Sequence, residues 1–245
     1  MVSLNGSRSA ADGTAVPMTP GDLVESALAA VAAGAGEVLV HPRTPCGRES
    51  LSPRVMGPLL EALRGAGTGV GARAGTGVPV GVLASVAAEP GPAERLARVR
   101  SWAVLPDRAV VRFAEPGAPE LAELLLERGV GVDAEVPVGA EPGPLGRFLA
   151  WPVRDHARVR LLLELPSADP GWVVGTHRLP PVPLLLFGRE GAAWPVLRLA
   201  ARRGTGARIG VGDVLSLPDG RAARTNAELV AAATRAREDA TAGIR

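Results

Sequence analysis

Short apolar runs rich in Val and Leu alternate along this chain with longer stretches in which Ala and Leu recur at helical spacing. The short runs predict strands over residues 2–5, 37–41, 78–83, 109–113, 130–134, 158–164, 183–187 and 207–211. Between them, Thr19 fits a helix N-cap with Pro20 in the first helical position, and the helix stops at Gly34. Ser52 and Pro53 repeat that start for a helix ending near Arg64. Further helices are predicted over 92–102, 119–128, 144–151, 192–203 and 226–237. The prolines and glycine between Leu165 and Val182 leave little room for a regular sixth helix, which is predicted short or missing.

Strand and helix alternate with a βα period throughout, which predicts a parallel sheet. Eight strands in 245 residues predict one (β/α)8 TIM barrel, an α/β fold in a single domain over 1–245, with a doubly wound open sheet as the competing arrangement. A surface loop is expected over 7–18 and a frayed tail after 238. The Gly-rich passage over 65–77 precedes a strand instead of following one, so it is no dinucleotide fingerprint. With 47% hydrophobic residues the chain is globular, and its longest apolar runs are too short to span a bilayer. No secretory pattern opens it, so a cytoplasmic protein is expected, with no membrane partner.

Charge changes the picture mainly by exclusion. The pI of about 9.8 accompanies a net charge of only +2, because every basic side chain other than histidine is an arginine. A chain without lysine cannot be a Schiff-base aldolase, a pyridoxal-phosphate enzyme or a P-loop NTPase. With 3% aromatics and no basic run, nucleic acid is not an expected partner. The one cysteine, Cys46, permits neither an internal disulfide nor a multi-thiolate zinc site.

In a TIM barrel the chemistry sits at the C-terminal ends of the strands. Those positions hold Asn5, His41, Arg43, Ser85, Arg112, Glu115, Asp133, Glu164, Arg189, Glu190 and Asp213, a rim of arginines and carboxylates with one histidine. The stretch from Glu37 to Arg48 is similar to a strand-two motif of the form His-x-His-x-Arg followed by a glycine turn. In order along the chain it is flanked by Leu4-Asn-Gly-Ser-Arg8, Arg208-Ile-Gly-Val-Gly-Asp-Val214, Leu217-Pro-Asp-Gly-Arg221 and Asn226-Ala-Glu-Leu-Val230. Together these resemble the β-keto acid cleavage enzymes, also called 3-keto-5-aminohexanoate cleavage proteins.

The resemblance implies a zinc-dependent barrel that condenses a β-keto acid with acetyl-CoA as co-substrate and cleaves it to acetoacetate and a new acyl-CoA. It implies a metal held by two strand-two histidines and a strand-eight glutamate, and an Arg-Asp pair that handles a proton. The proton-handling pair falls on Arg208 and Asp213. Of the metal ligands only His41 is retained, since the other two positions are Leu39 and Gly212, so zinc is expected to be lost. The strand-three Ser-Thr pair falls on Leu83 and Ala84, the strand-seven His-Gly-Glu on Phe187-Gly-Arg189, and the strand-four Asn and His on Arg112 and Ala114.

Each candidate also has a plainer reading. His41 is either a residual metal ligand or a rim histidine bonded to a carboxylate. Arg208 and Asp213 are a proton-handling pair or a structural salt bridge. Arg43 binds a substrate carboxylate or pairs with Glu164 or Asp213. Glu115 and Glu164 serve as acid or base, or neutralise arginines. Arg112 and Arg189 bind an anion in place of zinc, or reach to solvent. Asn5 joins the substrate-binding set. The function read from this is either a family-like acyl transferase with a degenerate metal site, or a non-catalytic barrel that binds a small anionic metabolite or a protein partner. A homo-oligomer, or a structural subunit beside an active paralogue, fits as well.

Overall fold

The computed structural model describes residues 1–66, 77–139, 143–152, 155–169, 171 and 179–242. Eight strands pair in parallel in sequence order: β1 (Val2–Ser3), β2 (Val38–Val40), β3 (Val80–Leu83), β4 (Arg108–Arg112), β5 (Gly131–Pro137), β6 (Val159–Glu164), β7 (Leu184–Phe187) and β8 (Gly206–Ala207). Beyond β8, Ile209 forms a parallel bridge with Val2, and the Ser3 amide donates to the Ile209 carbonyl at 3.1 Å. That bridge joins the last strand to the first, as a TIM barrel requires.

Among the described residues seven α-helices accompany the strands: α1 (Pro20–Ala32), α2 (Pro53–Gly65), α3 (Pro92–Arg100), α4 (Ala118–Glu127), α5 (Gly143–Ala150), α6 (Ala193–Arg202) and α7 (Asn226–Ala242). Thr19 caps α1 as expected, in a reciprocal box with Asp22. Between β6 and β7 no α-helix occurs among the described residues, although much of that segment, with His177, lies outside them. The 7–18 loop contains a single 3-10 turn at Ala10–Asp12. The final helix continues to Ala242, past the expected fraying point at 238. No helix among the described residues is long and apolar enough to cross a membrane.

Strand alternation sorts the side chains into two sets. Val38, Val40, Val82, Val111, Val132, Leu161 and Leu186 belong to the core beneath the helices. Leu39, Leu83, Val110, Leu162, Leu185 and Phe187 form a separate cluster inside the barrel. An ion network lies at the N-terminal end of the strands. There Asp133 takes Arg108 Nε and Arg160 Nη2, each at 2.7 Å, and Arg160 also grips Glu37. Strand five runs to Pro137, not 134, so Asp133 is not the rim residue expected of it. The rim carboxylate of β5 is Glu135.

Candidate functional site

The C-terminal mouth of the barrel is built around Arg208, which follows β8 and is 2% exposed at its side chain. Its guanidinium lies 3.4 Å from the ring centroid of Phe187, the last residue of β7. Nη2 donates to Asp213 Oδ1 at 2.8 Å, and Nη1 donates to Glu135 Oε2 at 2.9 Å. The other oxygen of Glu135 accepts from Arg112 Nε at 2.9 Å, and Arg189 Nη2 stands 3.9 Å from it. Burial alone would raise the Glu135 pKa, but Arg208, Arg112 and Arg189 pull it down to about 2.

Two arms extend from this hub. On one side Arg189 donates to Glu164 at 2.9 Å. On the other, Arg112 approaches Glu115 at 4.0 Å, and Glu115 Oε2 accepts from buried Arg95 at 2.9 Å and from the Val86 amide at 3.0 Å. Burial pushes the Glu115 pKa above the ordinary carboxylate value, against the Val86 amide and the two arginines. Arg112 (23% exposed), Arg189 (32%) and Glu164 (28%) line the part of the mouth open to solvent. A hollow of about 270 Å³ adjoins it, lined by Ser7, Arg8, Asp12, Arg189, Gly212 and Asp213.

The predicted residues divide by what they touch. Arg208, Asp213, Arg112, Glu115, Glu164 and Arg189 come together in this one network. Asn5 does not join it: its amide clasps the main chain of His41, donating to the carbonyl at 3.0 Å and accepting from the amide at 2.9 Å. Arg43 pairs with neither Glu164 nor Asp213. Its guanidinium instead donates to the carbonyls of Gly47, Gly6 and Arg8, tying the loop after β2 to the loop after β1. Arg43→Ala would leave those carbonyls without a partner, at an expected cost of about 2 kcal/mol, and Arg43→Lys should not restore it because an ammonium lacks the fork geometry. Thermal unfolding of both variants checks this.

His41 is buried, with Nδ1 3.4 Å from Glu49 Oε1, a carboxylate that sequence reasoning did not assign to it. Burial lowers its pKa and so favours the neutral ring, with Glu49 opposing. Cys46 is exposed, its thiol brought down to about 7 by the Thr44 hydroxyl and by Arg48. Glu135, at the centre of the mouth network, and Arg95, on its arm, are members that the sequence reading missed. The signal that could have found Glu135 is the alternation of inward Asp133 and Glu135 with outward Val132, Ala134 and Val136.

The residues at the implied metal position do not fit zinc. Leu39 is committed to the apolar cluster inside the barrel. A Cβ on Gly212 would stand 2.8 Å from the Gly6 nitrogen and 2.9 Å from its Cα, so the site of the third donor is closed by backbone. Among the described residues no three His, Cys, Asp or Glu side chains converge to hold a metal ion. Zinc at a catalytic site needs three protein donors, and His41 alone supplies one.

The family model described as beta-keto acid cleavage enzyme matches residues 1–126 and 172–244. Glu135 and Glu164 fall outside the matched residues. No curated protein matches the chain. Among solved structures, the binary complex of ObcA with oxaloacetate is similar at a TM-score of 0.62 and 14% identity, covering 90% of this chain and 63% of ObcA. This chain therefore spans less than two thirds of that protein. A type I 3-dehydroquinate dehydratase from Clostridium difficile matches at a TM-score of 0.57 and 9% identity, covering 97% of this chain and 91% of the other. The homocysteine methyltransferase MmuM from Escherichia coli matches at 0.58 and 18%, covering 89% and 86%. At these identities the likeness is one of fold.

Proposed function

Because the chain belongs to the beta-keto acid cleavage enzyme family, we propose that it uses the barrel mouth as a metal-free site for small anionic metabolites of the β-keto acid class. On this reading it does not perform zinc-dependent, acetyl-CoA-dependent carbon–carbon cleavage. The observation that supports it is the convergence of Arg112, Arg189 and Arg208 on one mouth, where the resemblance expects neutral and acidic side chains at the first two positions. A guanidinium recognises a carboxylate through paired donors and holds its charge at any working pH. Arg112 and Arg189 stand partly open to solvent, whereas Arg208 is fixed from below by Phe187. Oxaloacetate, the ligand in the ObcA complex, is a β-keto dicarboxylate and the first candidate to try.

The retained Arg208–Asp213 pair favours a second reading, an acyl transferase of the family with a rebuilt site and acetyl-CoA as co-substrate. One set of measurements separates the two. Elemental analysis of the purified protein should find zinc well below one ion per chain, and a panel of β-keto acids with acetyl-CoA should yield no acetoacetate. Oxaloacetate should nonetheless raise the melting temperature, by an amount that grows with the logarithm of its concentration above the dissociation constant. Stoichiometric zinc together with acyl exchange would establish the enzyme reading instead.

A further inference from the structure

We propose that an anionic ligand enters the barrel mouth together with a proton, which Glu115 takes up. The proposal rests on the reading of the mouth as a carboxylate-binding site and adds the charge rule by which that site works. Four guanidiniums, those of Arg95, Arg112, Arg189 and Arg208, are joined through ion pairs of at most 4.0 Å to four carboxylates, those of Glu115, Glu135, Glu164 and Asp213. The set is electrically balanced before any ligand arrives. A ligand carboxylate drawn to Arg112 or Arg189 adds an uncompensated negative charge in a partly buried place, where water screens it poorly. The excess is relieved by expelling an internal carboxylate or by neutralising one.

Expulsion is blocked for Glu135 and Asp213, which are buried and held by two or more arginine contacts each. Glu164 stands more exposed, so water already screens it. Glu115 is placed to be neutralised. Its Oε2 is occupied by Arg95 and the Val86 amide, while its Oε1 lies 4.0 Å from Arg112, beyond hydrogen-bond reach. A proton on Oε1 breaks neither existing bond and creates a donor that a ligand carboxylate can accept. The charged groups facing Glu115 are Arg95 from α3, Arg112 from β4 and Glu135 from β5. Arg147 of α5 reaches only its main-chain carbonyl, at 3.4 Å. Burial and the Glu135 carboxylate already favour the protonated form, and a bound anion acts with the same sign.

Calorimetric titration with acetoacetate and with malonate near neutral pH, in several buffers of different ionisation enthalpy, tests this. The wild-type chain should take up protons on binding, and its affinity should fall as pH rises, by up to about tenfold per pH unit. Glu115→Gln, which mimics the protonated side chain, should bind several-fold more tightly, with no proton uptake and no pH slope. Binding by the wild type without proton exchange, or unchanged uptake in Glu115→Gln, overturns the proposal while leaving the carboxylate site standing. If neither probe binds, the reading of the mouth falls and this proposal falls with it. Should Glu115→Gln fail to fold, the wild-type buffer series decides the matter on its own.

Discussion

Glu135→Ala should lower the free energy of unfolding by about 3–5 kcal/mol, the range for removing one partner of a buried charge cluster. The carboxylate is fully enclosed, and it bonds Arg208 and Arg112 directly with Arg189 close by. Without it, Arg208 keeps only Asp213 and the face of Phe187 to offset a desolvated cation. Glu135→Gln keeps the shape and loses the charge, so it should recover only part of the deficit. Urea unfolding of the two variants measures both numbers, and a loss below about 1 kcal/mol would show that the hub is not a structural keystone.

The same carboxylate sets an acid limit whose sign can be worked out. Its pKa in the folded chain is about 2, below the ordinary 4.5. A depressed carboxylate contributes stability that is fully present above the ordinary value and is lost as pH falls through the folded one. Wild-type stability should therefore decline between about pH 4.5 and pH 2, and Glu135→Gln should show a shallower slope across that window.

Gly212→Ala is expected to cost about 3 kcal/mol, on the order of 10 °C in melting temperature for a chain of this size. The added methyl would press on the Gly6 main chain at 2.8–2.9 Å and on the Ser3 hydroxyl. Relief would require the segment after β1 to move, yet Asn5 and Arg43 pin that segment to β2 and its loop. Gly212→Glu should be worse. Restoring both implied ligands through Leu39→His and Gly212→Glu is therefore expected to give a chain that melts early and gains no stoichiometric zinc. A double variant that folds normally and takes up zinc would show that the backbone at this corner yields more readily than its packing suggests.

Several features of the fold were legible residue by residue. Pro20, Pro53 and Pro92 sit in first helical positions, where a missing N–H costs nothing, although of Thr19 and Ser52 only Thr19 makes a side-chain cap, and the apolar runs fall on or directly beside all eight strands. Strand ends were read less well. The sequence does mark the end of β5, since Pro137 and Gly139 follow Glu135 and Val136, but the expected strand stopped at Ala134, and the inward position it left out, Glu135, decides which acid reaches the rim. Arg43 was misread for a related reason. The arginine is visible in the motif, but the carbonyls it serves belong to Gly6 and Arg8, some 35 residues earlier, as well as to Gly47.

Residue types and their spacing were enough to predict eight parallel strands, with a barrel favoured over an open sheet, exclude lysine chemistry and point to a family whose metal ligands are mostly replaced in this chain, because helix caps, strand alternation and side-chain identity are local properties. Charge pairing is not local. Which of the rim arginines are already neutralised, that Glu135 joins three of them, and that the backbone of Gly6 closes the space beside Gly212 all follow from bringing β1, β4, β5, β7 and β8 to one mouth. An ion pair or a steric clash depends on the distance between atoms far apart in the chain, and that distance exists only once the barrel has closed.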